Sequence, residues 1–397
     1  MANEQAVTAG RNLKMKASTT LTNGGALTAT AGSVDLQSGE AMSNTGAVTA
    51  QQDVGMKAGT TLTNSGNLTA TNGAVSLTAQ KELFNQGNVQ AGTSVTMTSA
   101  GSSITNKGDV EAKDGDVAMD AKTDLRNQGA VTASQDVELT SGGSMANDKT
   151  VTAGQDLTMK AGTTLTNSGA LTATAGSVDL QSGEAMSNTG AVTAQQDVRM
   201  TSVASSITNQ ADVEAKGGDV TMDAKTDLQN KGAVTGSQDV ELTSGQSMVN
   251  DKAVTAGQDL TMDAGTTLTN GGDLTATNGS IELTAQKELL NQGAVQAGTS
   301  VTMTSVASSI NNQADVEAKD GDVTMGAKAD LRNQGAVTGS QDVKLTSGQS
   351  MANEQAVTAG QDLTMGAGTT LTNGGGLTAT NGSIELTAQK GLRQNGN

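Results

Sequence analysis

A unit of 20 or 21 residues repeats along nearly all of this 397-residue chain, and this repeat constrains the fold more than any other feature. One copy, residues 150–169, reads TVTAGQDLTMKAGTTLTNSG, and the next begins at residue 170. The units start at residues 6, 26, 47, 67, 88, 109, 130, 150, 170, 191, 212, 233, 253, 273, 294, 315, 336, 356 and 376. Because so short a unit cannot bury its own apolar face, it has to stack on its neighbours.

A larger block is duplicated as well. The units that start at 47, 150, 253 and 356 are 103 residues apart, so a block of five units recurs, and residues 26–54 are identical to residues 170–198. A residue pattern found in one unit can therefore be compared with its copies in the same chain.

Apolar and polar residues alternate within each unit, which predicts β-strands. In the unit from residue 150 the side chains predicted to face inward are Val151, Ala153, Leu157, Met159, Ala161 and Leu165. The residues predicted to face outward are Thr152, Thr158, Lys160 and Thr166. Residues 154–156 and the stretch around Gly162 interrupt the alternation and predict turns.

Each unit therefore holds three short strands and three corners. The predicted fold class is all-β: a right-handed parallel β-helix, or β-solenoid, of about nineteen coils that forms a single repeat array over residues 1–397. We expect the additional residue of the 21-residue units to lie in the first corner, between the first and second strands.

An asparagine near the end of each unit is the most specific structural signal. It stands two residues after an inward apolar residue, so it should also point inward, and stacked asparagines can hydrogen-bond from coil to coil. These residues are Asn23, Asn44, Asn64, Asn85, Asn106, Asn127, Asn147, Asn167, Asn188, Asn209, Asn230, Asn250, Asn270, Asn291, Asn312, Asn333, Asn353 and Asn373.

Both ends of the chain predict a segment of a longer array. Residues 1–10 are identical to residues 351–360, and residues 378–390 repeat residues 275–287. We expect the chain to leave the repeat after residue 390, where GLRQNGN places Gln394 at the position of the asparagine.

Composition excludes several functions. The formal net charge of −17 argues against nucleic acid as a partner, because phosphate binding needs clustered Lys and Arg. The sequence has no run of eighteen apolar residues, which a membrane-spanning helix would need, and its first residues do not have the pattern of a signal peptide. Without His or Cys there is no Ser-His or Cys-His nucleophile and no usual zinc site.

The unit from residue 109 carries the best candidate chemistry. Its acids could in principle perform acid–base glycoside chemistry or bind calcium. Two of these acids are not kept in both copies of the unit, which start at 212 and 315. The position of Asp120 is Asp223 in the first copy and Gly326 in the second, and the position of Asp114 is Gly217 in the first and Asp320 in the second. Lys113, Lys122 and Arg126 lie among these acids, which favours a solvated face of mixed charge. The six acids are Asp109, Glu111, Asp114, Asp116, Asp120 and Asp124.

A second set of acids recurs just before the second strand, where turn formers and strand-edge charges are expected rather than metal ligands. These are Asp53, Asp136, Asp156, Asp197, Asp239, Asp259, Asp342 and Asp362. The sequence thus predicts no catalytic, cofactor-binding or metal-ligating residue, no cofactor and no enzyme activity.

Two outer features remain. A column of threonines resembles the flat arrays of ice-binding solenoids, but Gln90, Glu111 and their copies interrupt it. Phe84, the only aromatic residue, is predicted to point outward between Leu83 and Asn85. A single exposed ring is usually incidental.

The units resemble the haemagglutinin repeat of filamentous haemagglutinins and related adhesins. The matching elements are the AVTAGQDLTM start, the AGTTLTNSG end and the LTATNGSIELTAQ variant. The resemblance implies a secreted or bacterial cell-surface exoprotein, exported through an outer-membrane secretion partner. It also implies an adhesin, or the stalk of a contact-dependent growth inhibition toxin, which contacts a receptor or glycan on a host or neighbouring cell.

Taken together, the repeat and the resemblance predict a structural rod or stalk segment. The alternative from another class is a carbohydrate-active parallel β-helix enzyme, a polysaccharide lyase or hydrolase. High internal identity also leaves open an engineered or idealised repeat.

Overall fold

The computed structural model describes residues 1–395, and the chain divides into two compact units, Met1–Gln196 and Asp197–Asn397. Each unit is a parallel β-solenoid, and the chain has about nineteen coils of three strands. The first, second and third strands of successive coils build three sheets, here named sheets 1, 2 and 3. Among the described residues there is no helix, and hence none that could cross a membrane.

In Met1–Gln196, sheet 1 contains Val7–Ala9, Leu27–Ala29, Val48–Ala50, Leu68–Ala70, Val89–Ala91, Val110–Ala112, Val131–Ala133, Val151–Ala153, Leu171–Ala173 and Val192–Ala194. Sheet 2 contains Leu13–Ala17, Val34–Ser38, Val54–Ala58, Val75–Ala79, Val95–Ser99, Val117–Ala121, Val137–Ser141, Leu157–Ala161 and Val178–Ser182. Sheet 3 contains Ala2–Asn3, Leu21–Asn23, Met42–Asn44, Leu62–Asn64, Leu83–Asn85, Ile104–Asn106, Leu125–Asn127, Met145–Asn147, Leu165–Asn167 and Met186–Asn188.

In Asp197–Asn397, sheet 1 contains Val213–Ala215, Val234–Gly236, Val254–Ala256, Leu274–Ala276, Val295–Ala297, Val316–Ala318, Val337–Gly339, Val357–Ala359 and Leu377–Ala379. Sheet 2 contains Val198–Ser202, Val220–Ala224, Val240–Ser244, Leu260–Ala264, Ile281–Ala285, Val301–Ser305, Val323–Ala327, Val343–Ser347, Leu363–Ala367 and Ile384–Ala388. Sheet 3 contains Ile207–Asn209, Leu228–Asn230, Met248–Asn250, Leu268–Asn270, Leu289–Asn291, Ile310–Asn312, Leu331–Asn333, Met351–Asn353, Thr370–Asn373 and Gly391–Gln394.

The strands pair in parallel with the equivalent strand of the next coil, so that equivalent residues stack on one another. Leu62 pairs with Leu83 and Asn64 pairs with Asn85 in sheet 3, and Ala153 pairs with Ala173 in sheet 1. Because the side chains of a strand alternate between its two faces, this register gathers each inward position into a buried column.

The core fills the space between the three sheets. All six side chains predicted to face inward in the coil from residue 150 are buried, which confirms the alternation. Leu and Met exchange places between two core positions, one in sheet 2 and one in sheet 3. Leu139 and Met145 occupy these positions in one coil, and Met159 and Leu165 occupy them in the next. Since Leu and Met have similar volumes, the narrow interior accepts either order.

The additional residue of the 21-residue coils does not always lie where we expected. It falls in the first corner of the coil from residue 109, at 113–116, but in the second corner of the coils from 88, 191 and 294, at 100–103, 203–206 and 306–309. The expectation of a single site was therefore wrong. Both corners project from the sheets into solvent, where an extra residue leaves the strand register unchanged.

The predicted inward asparagines form a continuous hydrogen-bonded column within each unit, here named the asparagine ladder. Asn167 is fully buried; its Nδ2 donates to Asn188 Oδ1 (2.7 Å) and to the Gly169 carbonyl (2.8 Å), and its Oδ1 accepts from Asn147 Nδ2 (2.8 Å). Each such amide thus satisfies a corner of its own coil and both neighbouring coils, as a buried polar group must.

The ladder extends beyond the predicted set. Asn3 Nδ2 donates to Asn23 Oδ1 (2.7 Å), and Asn373 Nδ2 donates to Gln394 Oε1 (3.0 Å). Gln394 ends a strand that pairs with Thr370–Asn373, so the repeat continues further than we expected from GLRQNGN. The last two residues of that sequence, 396 and 397, lie outside the described residues.

Glycine is common at the third corner because successive coils approach closely there. A Cβ atom on Gly87 would lie 2.0 Å from the carbonyl oxygen of Gly66, and one on Gly108 would lie 2.0 Å from that of Gly87. No described residue has a positive φ angle, so the requirement is for space and not for a left-handed backbone.

We predict that Asn167→Leu destabilises the fold more than Thr166→Lys. The first change leaves the amide of Asn147, the amide of Asn188 and the Gly169 carbonyl without their partner, at about 1–3 kcal/mol for each unsatisfied buried group. The exposed Thr166 makes no comparable bond, so its replacement should change stability by about 0.5 kcal/mol or less. Urea denaturation of both variants measures the difference, and equal losses of stability would contradict the role of the ladder.

Candidate functional site

The acidic coil from residue 109 places three of its carboxylates at three different corners. Asp109, Asp116 and Asp124 each immediately precede a strand, of sheet 1, sheet 2 and sheet 3 respectively. Side chains at three separate corners of a coil cannot converge on one substrate or ion.

Each of these three carboxylates accepts a backbone hydrogen bond from the following coil. Ala130 N–H donates to Asp109 Oδ1 (2.9 Å), Asp136 N–H donates to Asp116 Oδ1 (3.1 Å), and Ser144 N–H donates to Asp124 Oδ1 (2.8 Å). These three corner N–H groups donate to no backbone carbonyl of the described residues, so a carboxylate from the neighbouring coil satisfies them. The three acids therefore join coils together.

Asp124 has the strongest set of contacts among them. The Ser144 hydroxyl donates to Asp124 Oδ1 (2.6 Å) in addition to the backbone bond. These two bonds, first from the hydroxyl and then from the backbone N–H, hold the pKa of the Asp124 carboxyl below its ordinary value, although desolvation opposes them.

The remaining acids of this coil lie apart from one another. Glu111 accepts a hydrogen bond from Gln90 Nε2 (2.5 Å) on the outer face of sheet 1, whereas Asp114 and Asp120 are exposed. Asp120 and Glu138 line an open hollow of about 190 Å³ on sheet 2, beside the small Ala118. One of these two carboxylates belongs to this coil and the other to the next coil.

Comparison with the internal copies of this coil distinguishes the three corner acids from its other acids. All three corner positions remain Asp in the copies and make the same bonds, as Ala233 N–H does to Asp212 Oδ1 (2.9 Å) and Ala336 N–H does to Asp315 Oδ1 (2.8 Å). The positions of Asp114 and Asp120, which vary between copies, make no such bond. A threonine replaces Ala118 in both copies, so the side chain at this position of the hollow differs there.

The recurring acids before the second strand have the same structural role, which confirms their prediction as turn formers at a strand edge. Asp156 N–H donates to Asp136 Oδ1 (2.9 Å), and Ser177 N–H donates to Asp156 Oδ1 (2.8 Å). The other members, which accept in the same way from the next coil, are Asp53, Asp197, Asp239, Asp259, Asp342 and Asp362.

The polar side chains that line a second hollow also form hydrogen bonds between coils. About 360 Å³ of open space lies on sheet 1 beside Asn67, Asn88 and Asp109. Asn67 Oδ1 accepts from Asn88 N–H (3.1 Å), and Asn88 Oδ1 accepts from Asp109 N–H (3.0 Å). Within residues 1–395 no group of three or more acids is placed to hold a metal ion.

Phe84 points outward from sheet 3, as predicted, and is half-buried. Lys107 Nζ lies 5.2 Å from the centre of its ring, at the distance of a cation–π contact. The ring is therefore covered in part by its own chain. The threonine column on sheet 1 is interrupted by bonded pairs such as Gln296 and Glu317 (2.6 Å).

Sequence reasoning missed the bonding role of Asp109, Asp116 and Asp124. The available signal was their position, because each stands one residue before a strand, as Asp156 does. Their grouping as one acidic coil concealed this, since residues close in sequence face different corners.

These observations define a parallel β-solenoid repeat protein whose recurrent polar residues join one coil to the next. The family model for the haemagglutinin repeat matches residues 103–175, 173–232, 233–293, 292–364 and 336–396, and the chain belongs to this family. No curated protein and no solved structure matches the chain.

We predict that Asp124→Ala lowers stability while Asp120→Ala does not. The first change removes the acceptor of two hydrogen bonds from Ser144 at a solvent-exposed corner, a loss of about 1 kcal/mol. The second removes the same charge from the same coil without breaking a bond. Thermal unfolding of the two variants provides the comparison, and a matching decrease in both would assign the effect to charge alone.

Stability should also fall in acid, because hydrogen bonds lower the pKa of several folded carboxyls. At Asp148 the main cause is the bond from Gln128, opposed by desolvation and supported by Arg126. A lowered folded pKa means that the unfolded state binds more protons, so this stabilisation is present above about pH 4 and is lost as the pH falls through the lowered value. Relief of charge repulsion acts in the opposite direction.

Asp124→Asn isolates the contribution of one carboxyl to this pH dependence, since Asn keeps a neutral acceptor. The wild type should unfold at a higher temperature than this variant at pH 7, and the difference should disappear towards pH 2. A difference that is independent of pH would contradict the assignment.

Proposed function

We propose that this chain is a structural segment of the stalk of a secreted or cell-surface exoprotein of the adhesin type. The observation that carries the proposal is the use of recurrent polar side chains as bonds between coils, through the asparagine ladder and the corner aspartates. A chain that commits its repeated polar residues to stacking is suited to bear load and to separate other functional parts.

Membership of the haemagglutinin repeat family supports this proposal. Secretion, and contact with a receptor or glycan, are inferred from the family resemblance. The acidic surface would favour many weak contacts along repeated faces over one tight site, because weak contacts that are linked add to a high avidity. The same block of five 20- or 21-residue repeats occurs in both compact units, which supports one repeat array.

The competing function is carbohydrate cleavage, and the observation that favours it is the hollow lined by Asp120 and Glu138. Glycosidases need two carboxyl groups at a defined separation, one of them often with a raised pKa. We propose that the chain has no catalytic, cofactor-binding or metal-binding residues. The loss of Asp120 in the copy at Gly326 favours this view.

We predict that the purified chain releases no reducing or unsaturated sugar from a panel of acidic and neutral polysaccharides. The assay should compare the wild type with Asp120→Asn. Sugar release by the wild type that is absent from the variant would replace the stalk proposal with the enzyme.

The cellular part of the proposal is tested on the bacterium that produces the protein. Antibodies raised against the folded repeat should label intact cells, and external protease should remove the signal. Labelling that appears only after the cells are permeabilised would overturn a surface role.

A further inference from the structure

The tripeptide Thr-Asn-Gly occurs at six places in the described chain, and these places are of two kinds. Three of the asparagines belong to the ladder: Asn23, Asn270 and Asn373. The other three lie at the first corner of a coil: Asn72, Asn278 and Asn381. Because the tripeptide is the same, a difference in reactivity between the two kinds must come from the fold.

An Asn-Gly pair carries its own chemistry. The backbone nitrogen of Gly can attack Cγ of the Asn side chain; the new C–N bond closes a succinimide ring, and the side-chain nitrogen leaves as ammonia. Water then opens the ring and yields aspartate or isoaspartate. The reaction consumes one water for each ammonia released and needs no other reactant. It does require a side chain that can turn towards a glycine nitrogen that is free to react.

The ladder asparagine Asn270 is held away from this reaction. Its Nδ2 donates to Asn291 Oδ1 (2.8 Å) and to the Gly272 carbonyl (2.7 Å), and its Oδ1 accepts from Asn250 Nδ2 (2.8 Å). The attacking nitrogen is also engaged, because Gly271 N–H donates to the Asn250 carbonyl (2.7 Å). Ring closure there would require the opening of two coil junctions.

Asn278 lies eight residues later, at the first corner of the next coil, and is exposed. Its side chain makes one bond, from Nδ2 to the Gly257 carbonyl (3.0 Å), and Gly279 N–H donates to no atom of the described chain. Asn381 makes one similar bond, to the Gly360 carbonyl (3.2 Å). The side chain of Asn72 makes none with the described residues.

We propose that Asn72, Asn278 and Asn381 are sites of spontaneous deamidation in the folded protein, and that the ladder protects Asn23, Asn270 and Asn373 from the same reaction. The reactant is water, and the products are an acidic corner residue and ammonia.

The modification would alter the first corner and spare the core. The carboxylate of Asp259 already lies at this corner, so deamidation of Asn278 adds a second negative charge there. Isoaspartate also inserts an additional backbone atom into a turn whose Ser280 N–H donates to Asp259 Oδ1 (2.7 Å). With age the corner becomes more acidic and loses register locally, while the ladder remains intact.

Incubation of the folded full chain at mildly alkaline pH, below its unfolding temperature, tests this proposal. Peptide mapping by mass spectrometry follows the conversion of each amide to an acid. We expect Asn72, Asn278 and Asn381 to react at least about tenfold faster than the three ladder asparagines, a factor equivalent to about 1.4 kcal/mol in barrier. Asn72, which lacks a side-chain bond, should be the fastest.

Two controls show whether the fold is the cause. In concentrated urea the six rates should converge, because the tripeptide is the same at every site. In the folded variant Asn278→Gln the acid at residue 278 should not form, while the rates at Asn72 and Asn270 stay as they were. Equal rates at the six sites in the folded chain, or a difference that persists in urea, would overturn the proposal.

Discussion

The hydrogen bond between stacked asparagine side chains is the interaction on which the rest of the structure depends. An amide has both donors and an acceptor, so Asn167 can bond to the preceding coil, the following coil and its own corner at once. No aliphatic residue can do this, and a carboxylate could not donate. Repetition of the same residue at the same register therefore joins successive coils within each compact unit and satisfies the buried ladder amides.

Hydrogen bonding between stacked coils explains how a chain with few large apolar residues can fold. Each coil contributes only a few large side chains, such as Leu157, Met159 and Leu165, which alone cannot offset the conformational entropy of twenty residues. Stacking adds backbone bonds along three sheets and corner bonds from residues such as Asp156. Stability is thus distributed along the stack.

The same logic bears on function. Acids that look like a catalytic group in sequence, such as Asp109, Asp116 and Asp124, accept backbone N–H groups at separate corners. Asn278 is exposed at a corner, whereas Asn270, with the same neighbours in sequence, is buried. The difference in reactivity that we propose for these two residues rests on their positions in the coil, since their residue type is the same.

The sequence by itself determined the repeat, the strand alternation and the inward asparagines, because each of these follows from local periodicity. Its repeated motifs resembled those of the family. The structure alone decided where the additional residue of the coil from 88 lies, that Asn3 and Gln394 join the ladder, and that Asp124 bonds to Ser144. These facts depend on which residues of neighbouring coils come together. A corner residue can satisfy its bonds only across the stack, so its partner, about twenty residues away, is set by the register of the sheets.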